Sequence, residues 1–299
     1  MRAMRRTALI CAVAVLSACA AVVPGANQTD ISGLALELPR HRLVLLGEVH
    51  DNLHHHRLRH AALKTALEAN PRYRPALLME QFDRERQDDI ERARRERPRD
   101  AAYLVTQASP QPTRPGGAGW NWDFYRPFVQ LALDYDLPLI AANVSRADLM
   151  RLASGGFKAV FTPAQLATLK LDQPVPATLQ STLEQDIHTG HCNALPAAAL
   201  APMARGQMAR DAFMAWQLSQ HAARGAVLLA GNGHVRKQVA APFWLARMGS
   251  AEQAYVAGFG ETGGADAAAN YDRLIVTAAV ARPHPCEAFL KSRHAPKAP

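Results

Sequence analysis

The chain is predicted to be an α/β protein: a mainly parallel sheet flanked by helices, with a small helical lobe. Three observations carry that prediction. Short apolar runs alternate with longer helical stretches along the chain, which is the pattern of a parallel sheet with helices on both faces. Two of the runs end alike, Leu43–Leu46 in Gly47-Glu48-Val49-His50 and Val227–Ala230 in Gly231-Asn232-Gly233-His234. Between them lies a helical middle interrupted by Pro163, Pro174 and Pro176, which reads as the lobe, roughly residues 145–224.

The elements follow in order. Pro24–Gly33 is a polar tail, and residues 19–40 read as anchor and linker. Strand Leu43–Leu46 leads to a helix from about Leu53 to Ala69, capped by Asp51 or Asn52 and ended by Asn70-Pro71. Strand Ala76–Met79 ends at Glu80, and Asp83–Arg97 is a charged helix with Ile90 and Ala93 as its apolar points. Ser109–Gly119 is a Pro/Gly loop. Trp120-Asn121-Trp122-Asp123 opens a helix through Tyr125, Phe128, Leu131 and Leu133, before strand Leu139–Ala142 ends at Asn143. A long helix near Ala197–Ala223 stops at Gly225, ahead of strand Val227–Ala230. Strands Tyr255–Ala257 and Leu274–Thr277 complete a domain spanning 41–290, with a tail over 291–299.

The first residues read as an export signal. Arg2, Arg5 and Arg6 form a basic start, and Ala8–Ala18 is apolar but too short to span a bilayer. Leu16-Ser17-Ala18-Cys19 resembles a bacterial lipobox, so residues 1–18 would be removed and Cys19 lipidated; an ordinary cleavage near Ala18 or Ala26 is the alternative. Diacylglycerol plus an amide-linked chain would supply the multiple acyl anchors that stable attachment needs. Ala20 after the cysteine, by the same resemblance, implies the outer membrane. Removing the three signal arginines from the formal +8 leaves about +5, and the Lys/Arg runs of a nucleic-acid binder are missing. Cys192 and Cys286 would remain in an oxidising compartment that permits a disulfide; two unpaired core cysteines or a thiolate ligand are the other readings.

In open α/β sheets ligands bind at the carboxyl ends of the strands. Four strands end there in Glu48/His50, Glu80, Asn143 and His234. Glu48, His50, Glu80 and His234 would form a carboxylate–imidazole cluster able to hold a divalent metal or to act as an acid–base pair; capping and local hydrogen bonding are the plainer roles. His54, His55, His56 and His60 make a histidine-rich helix start. His56 and His60 share a face at metal-compatible spacing, although an exposed histidine-rich helix is the commoner explanation. Tyr125 beside Trp120 and Trp122 would either offer a phenolate to haem iron or belong to an aromatic core cluster. Arg210 would fork onto a carboxylate or propionate, or pair with Asp211 among core methionines.

At these residues the chain resembles the ChaN-like haem-binding lipoproteins, within a wider group that includes Tiki proteases and erythromycin esterases. The resemblance runs through Gly47–Asn52 with His55-His56, Leu78–Gln81, Trp120–Trp122 with Tyr125, and Leu139–Arg146. It continues through His191–Asn193, Gln207–Ala215 and Gly231–His234. It implies an α/β fold with a helical lobe, haem as cofactor, and a homodimer in which one subunit's tyrosine binds iron while the other's histidine meets the propionates. Tyr125 matches that tyrosine by its neighbourhood, ahead of Tyr135 and Tyr271; His55, His56, Arg210 and His234 complete the implied haem-binding set. The implied role is haem and iron uptake at the outer membrane, with a haem receptor as partner. The alternative is a hydrolase, metal-dependent or based on Glu48, His50, Glu80 and His234. A third reading is a non-catalytic lipoprotein that presents the domain to a partner.

Overall fold

The computed structural model describes residues 28–109, 119–250, 254–283 and 286–287. The proposed signal, Cys19 and the 291–299 tail lie outside them. The first element departs from the expected linker. Helix α1 (Gln28–Glu37) packs on α2 (Leu53–Ala69), burying Leu34 and Ala35, with Leu38 just beyond.

Six strands form one all-parallel sheet among the described residues: β1 (Leu43–Leu46), β2 (Ala76–Asp83), β3 (Leu139–Asn143), β4 (Ala226–Leu229), β5 (Ala254–Glu261) and β6 (Arg273–Thr277). Their spatial order is β3-β2-β4-β1-β5-β6. Parallel neighbours require crossovers of one hand, so the direction of travel decides which face each helix covers. From β1 to β2 to β3 the chain moves one way, and α2, α3 (Gln87–Glu96), α4 (Ala101–Ala108) and α5 (Trp122–Asp134) cover the first face. It then returns through α6 (Arg146–Gly155), α7 (Pro163–Leu169), α8 (Ala177–Gly190), α9 (Ala197–Gln220), α10 (Asn232–Val235) and α11 (Ala241–Arg247) on the second.

Strand alternation divides the core accordingly. Val44, Leu46, Leu77 and Met79 face the first helical layer, whereas Leu43, Leu45, Ala76 and Leu78 face the second. Because both faces are covered, every residue of β1 and β4 is buried, and the strands read as unbroken apolar runs. The charged helix expected over Asp83–Arg97 is shorter than that. β2 runs on to Asp83, a 3-10 turn covers Arg84–Arg86, and the helix proper is Gln87–Glu96, with Ile90 and Ala93 buried as expected. Asn52, rather than Asp51, caps α2 by accepting from the His54 N–H.

β1 and β4 are neighbours, with Leu46 level with Leu229, yet they send the chain to opposite faces. Their carboxyl ends therefore open the crevice in which an α/β sheet binds ligands. Asn232 closes its floor: its amide donates to the Phe259 carbonyl at 2.7 Å, its backbone N–H donates to the Glu48 carbonyl at 2.8 Å, and its Oδ1 accepts from the Phe259 N–H at 3.3 Å. Gly47 makes the space for that side chain, since a Cβ there would lie 2.2 Å from Asn232 Oδ1. Cys192, just beyond α8, is bonded to Cys286, so the segment after β6 is tied to the helical lobe across 94 residues of sequence. No described helix is long and apolar enough to cross a membrane.

Gly47→Ala should displace Asn232 and cost about 2–3 kcal/mol in urea denaturation, the cost of orphaning buried polar groups at a packed strand end. Cys192→Ser should lower stability by about 4 kcal/mol in the chain-entropy model, in the same measurement under oxidising conditions.

Candidate functional site

Glu48 continues the alternation of Val44 and Leu46 and points into the first helical layer, where it is buried. Oε1 accepts from the Tyr125 hydroxyl at 2.5 Å and pairs with His50 Nδ1 at 2.8 Å. Oε2 pairs with the Arg59 guanidinium and lies 3.3 Å from His56 Nδ1. Arg59, wholly buried on α2, also donates to the Leu46 carbonyl and to His56 Nδ1, each at 3.1 Å. With Nδ1 accepting, the His56 proton sits on Nε2 and is donated to the His50 carbonyl at 2.9 Å. His55 works the same way one residue earlier. Its Nδ1 accepts from the Val49 N–H at 3.0 Å, and its Nε2 faces Thr277 Oγ1 at 2.9 Å. Burial pushes both imidazoles down to about 4, so they are neutral at pH 7 and hold the Val49–His50 turn as hydrogen-bonding struts.

Glu80 points the other way. It shares the alternation of Ala76 and Leu78 and enters the second layer. Its Oε2 accepts from the Gly231 N–H at 2.8 Å, and its Oε1 lies 3.4 Å from His234 Nε2. His234 Nδ1 donates to Asp211 Oδ1 at 2.6 Å, and the Gln207 amide approaches the same nitrogen at 3.0 Å. Burial alone would push His234 down, but the flanking Glu80 and Asp211 carboxylates outweigh it and hold the imidazole up at about 10. Burial would likewise raise Glu80, yet His234, the nearby His50 and the Gly231 N–H bring it to about 2. Asp211 shifts upward, because its complete burial exceeds the attraction of His234.

The single Glu48–His50–Glu80–His234 cluster expected from the sequence is thus two clusters, one on each face of the sheet. Side-chain alternation puts the two carboxylates on opposite sides, and Arg59 and Asp211 complete their separate networks. His50 joins them at the rim. Its ring lies against Gly231, where a Cβ would come within 2.7 Å of His50 Cε1, while Nδ1 holds Glu48. The His50 side chain is 50 % exposed, and Trp120 meets it edge-on at 5.0 Å.

Tyr125 belongs to both of its expected settings only in part. It packs edge-on with Trp120 and Trp122, at 5.5 and 6.2 Å between ring centroids, but it is buried and its hydroxyl is spent on Glu48. Burial raises its pKa, so the phenol keeps its proton. Arg210 makes no salt bridge with Asp211, whose partner is His234. The Arg210 Nε is buried without a hydrogen-bond partner, and its charge faces Asp83. Met208 and Met214 are core residues, whereas Met203 and Met150 are exposed. The exposed histidine helix is overturned, because His55 and His56 face inward as struts. His60 packs edge-on against Phe128 at 5.4 Å and lines a groove of about 290 Å³ with Leu53, His56, Arg57, Asp123, Phe124 and Pro127. Among the described residues no group of three or more His, Cys, Asp or Glu is arranged to hold a metal ion.

Arg59 is the functional residue that sequence reasoning misses. Its signal is a charge in the apolar stripe Leu58, Ala62, Leu63 and Ala66, one turn after the histidines.

Residues 34–245 match the family model described as haem-binding uptake, Tiki superfamily, ChaN; the chain belongs to that family. Among solved structures it is similar to ChaN of Campylobacter jejuni with cofacial haem bound, at 19 % identity and a TM-score of 0.67, covering 83 % of this chain and 91 % of that one. More distant are the type III effector HopBA1 (15 % identity, TM-score 0.46, 87 % and 99 % covered) and the erythromycin esterase EreC (13 %, 0.42, 78 % and 72 %). No curated protein sequence matches the chain.

The buried charges set the pH limits of stability. His234, raised from 6.5 to about 10, contributes fully below pH 6.5 and loses its contribution as pH climbs toward 10. Glu80, lowered from 4.5 to about 2, contributes fully above pH 4.5 and loses its contribution as pH falls toward 2. His55 and His56, lowered from 6.5 to about 4, contribute fully above pH 6.5 and lose their contribution as pH falls toward 4. Urea midpoints should therefore be highest near pH 6.5, and His234→Asn should flatten the alkaline limb while costing about 3–5 kcal/mol at pH 6.5.

Proposed function

We propose that this protein binds haem at the β1/β4 crevice and serves haem-iron uptake. The observation that carries the reading is the family match over 34–245, which includes both strand-end stretches, Gly47–His50 and Gly231–His234. The side chains suit an iron-bearing dianionic macrocycle. Arg210, whose charge lies near Asp83 at the end of β2, offers a guanidinium matched to a propionate. His50 and Trp120 offer an open imidazole and an aromatic edge. The bound iron would supply the ligand-field chemistry; the chain's part is to orient and enclose it. Tethering fits the same role: removal of residues 1–18 and lipidation of Cys19 would hold the domain at the outer membrane. A homodimer and an outer-membrane haem receptor complete the proposal.

Titration of the apo-protein with haemin, followed at the Soret band, should give saturable binding. Arg210→Ala should weaken it about tenfold, as expected for one charge-assisted hydrogen bond. Absence of saturation in the wild type would end the haem reading.

One observation favours a second reading, a Glu/His-based hydrolase. Glu48 orients the half-exposed His50 ring through Nδ1, the arrangement of a general base with its orienting carboxylate. An ester and peptide substrate screen tests it: activity abolished in Glu48→Gln with haem affinity retained would support this reading.

A further inference from the structure

We propose that the amino edge of the sheet, opposite the crevice, is a docking surface for the anionic headgroups of a lipid bilayer. This inference goes beyond haem uptake and does not depend on haem.

Three neighbouring strands bring the charges together. β2, β4 and β1 are adjacent and start level, because Leu43 and Ala76 are both in register with Ala226. The Arg42 carbonyl accepts from the Ala226 N–H at 2.8 Å, and the Gly225 carbonyl accepts from the Ala76 N–H at 2.9 Å. Arg42, Arg74 and Arg224 therefore stand at the entrances of three strands, in a row roughly 10 Å across. Arg224 Nη1 reaches the Arg74 carbonyl at 3.4 Å. Arg72 joins them from the turn after α2, where its backbone N–H donates to Asn70 Oδ1 at 3.1 Å.

These charges are not cancelled locally. The acids at this end have other partners: Glu37 meets Arg40, Glu68 meets Lys64, and Asp136 meets Arg94. Asp134 accepts from Gln130 on its own helix at 2.8 Å. Arg74 serves the structure, since its Nη1 donates to the Leu67, Asn70 and Tyr73 carbonyls and closes the end of α2. Arg42, Arg72 and Arg224 are exposed, and among the described residues none of them forms a salt bridge. Three open guanidinium groups on one rim match phosphate oxygens. A lipid surface asks only for charges on one plane, whereas nucleic acid asks in addition for a groove or a stacking platform.

The tether proposed for Cys19 fits the same orientation. α1 ends at this edge through Leu38–Arg40 and is about 15 Å long, so its start lies no farther than that from the rim. Eight residues separate Cys19 from Gln28, a reach of up to about 30 Å when extended. Resting on this rim would turn the crevice away from the bilayer and leave it open to solution.

The test uses the processed chain, residues 19–299 with Cys19→Ser so that no acyl chain contributes. Cosedimentation is measured with phosphatidylcholine vesicles, with and without about one-third phosphatidylglycerol. Binding should require the anionic lipid at about 0.1 M salt and vanish at about 1 M, where the screening length falls to about 3 Å. Arg42→Gln, Arg72→Gln and Arg224→Gln should each lower partitioning about fivefold, and together about a hundredfold, with the urea midpoint unchanged. Arg57→Gln, Arg92→Gln and Arg126→Gln together remove the same charge from exposed positions on other helices and should change partitioning less than about twofold. Equal losses in the two triple variants reduce the effect to net charge and overturn the surface. It is overturned as well by wild-type protein that ignores anionic vesicles, by release with excess inorganic phosphate, which marks a discrete phosphate site, or by tighter binding to a single-stranded oligonucleotide than to the vesicles. No readout involves haemin, so failure here leaves the haem reading standing.

Discussion

The ion pair between Arg59 and Glu48 is the constraint on which the rest of the site depends. Both partners are buried, so neither charge is tolerable without the other; removing one partner of such a pair costs about 3–5 kcal/mol, while the pair as a whole adds little net stability. What it secures is geometry. Arg59 reaches from α2 to the last carbonyl of β1, so the helix, the strand end and the carboxylate are registered together. Glu48 then has one oxygen committed to the guanidinium and the other available for Tyr125 and His50. The aromatic cluster of α5 and the orientation of the exposed imidazole both follow from that division of labour.

The second buried network lies beside the first, near enough that the Glu80 charge acts on Arg59 and Tyr125 across the strand ends. Asp211, His234 and Glu80 carry charge through the opposite helical layer, and the backbone N–H of Gly231 links their carboxylate to the strand end. Two networks on opposite faces of one sheet can meet only where the strands stop. His50 stands at that meeting point, bonded to one network and resting against the backbone of the other. The two glycine-containing motifs are consequently reciprocal: Gly47 of β1 admits the Asn232 side chain of the β4 loop, and Gly231 of that loop admits the His50 ring of the β1 loop.

The haem and hydrolase readings draw on the same half-exposed imidazole and the same orienting carboxylate, and they differ in what approaches that ring. Depth of burial separates two sets of side chains: Tyr125, His55, His56 and His234 are enclosed, whereas half of the His50 side chain is exposed beside Trp120. Binding surfaces can change at that rim while the buried charge networks keep the sheet edge intact.

All six strands and the span of α2 were legible in the sequence, because unbroken apolar runs between helical segments are a local signature of a sheet covered on both faces. Helix α1 was not, since its polar start at Gln28 and Asp30 continues the expected tail, and Leu34, Ala35 and Leu38 show a buried face only once α2 is there to pack against. The glycine-bounded strand ends marked where the crevice lies, and the family resemblance rested on those same residues. Partner choice was beyond the sequence. That Glu80 meets His234 and Gly231, that Asp211 serves His234 rather than Arg210, and that Arg59 neutralises Glu48 all depend on which strands are neighbours and which face each side chain takes. Those are long-range facts. Apolar periodicity repeats within a few residues and can be read locally, but the cost of burying a charge is settled only by groups that the tertiary fold brings beside it.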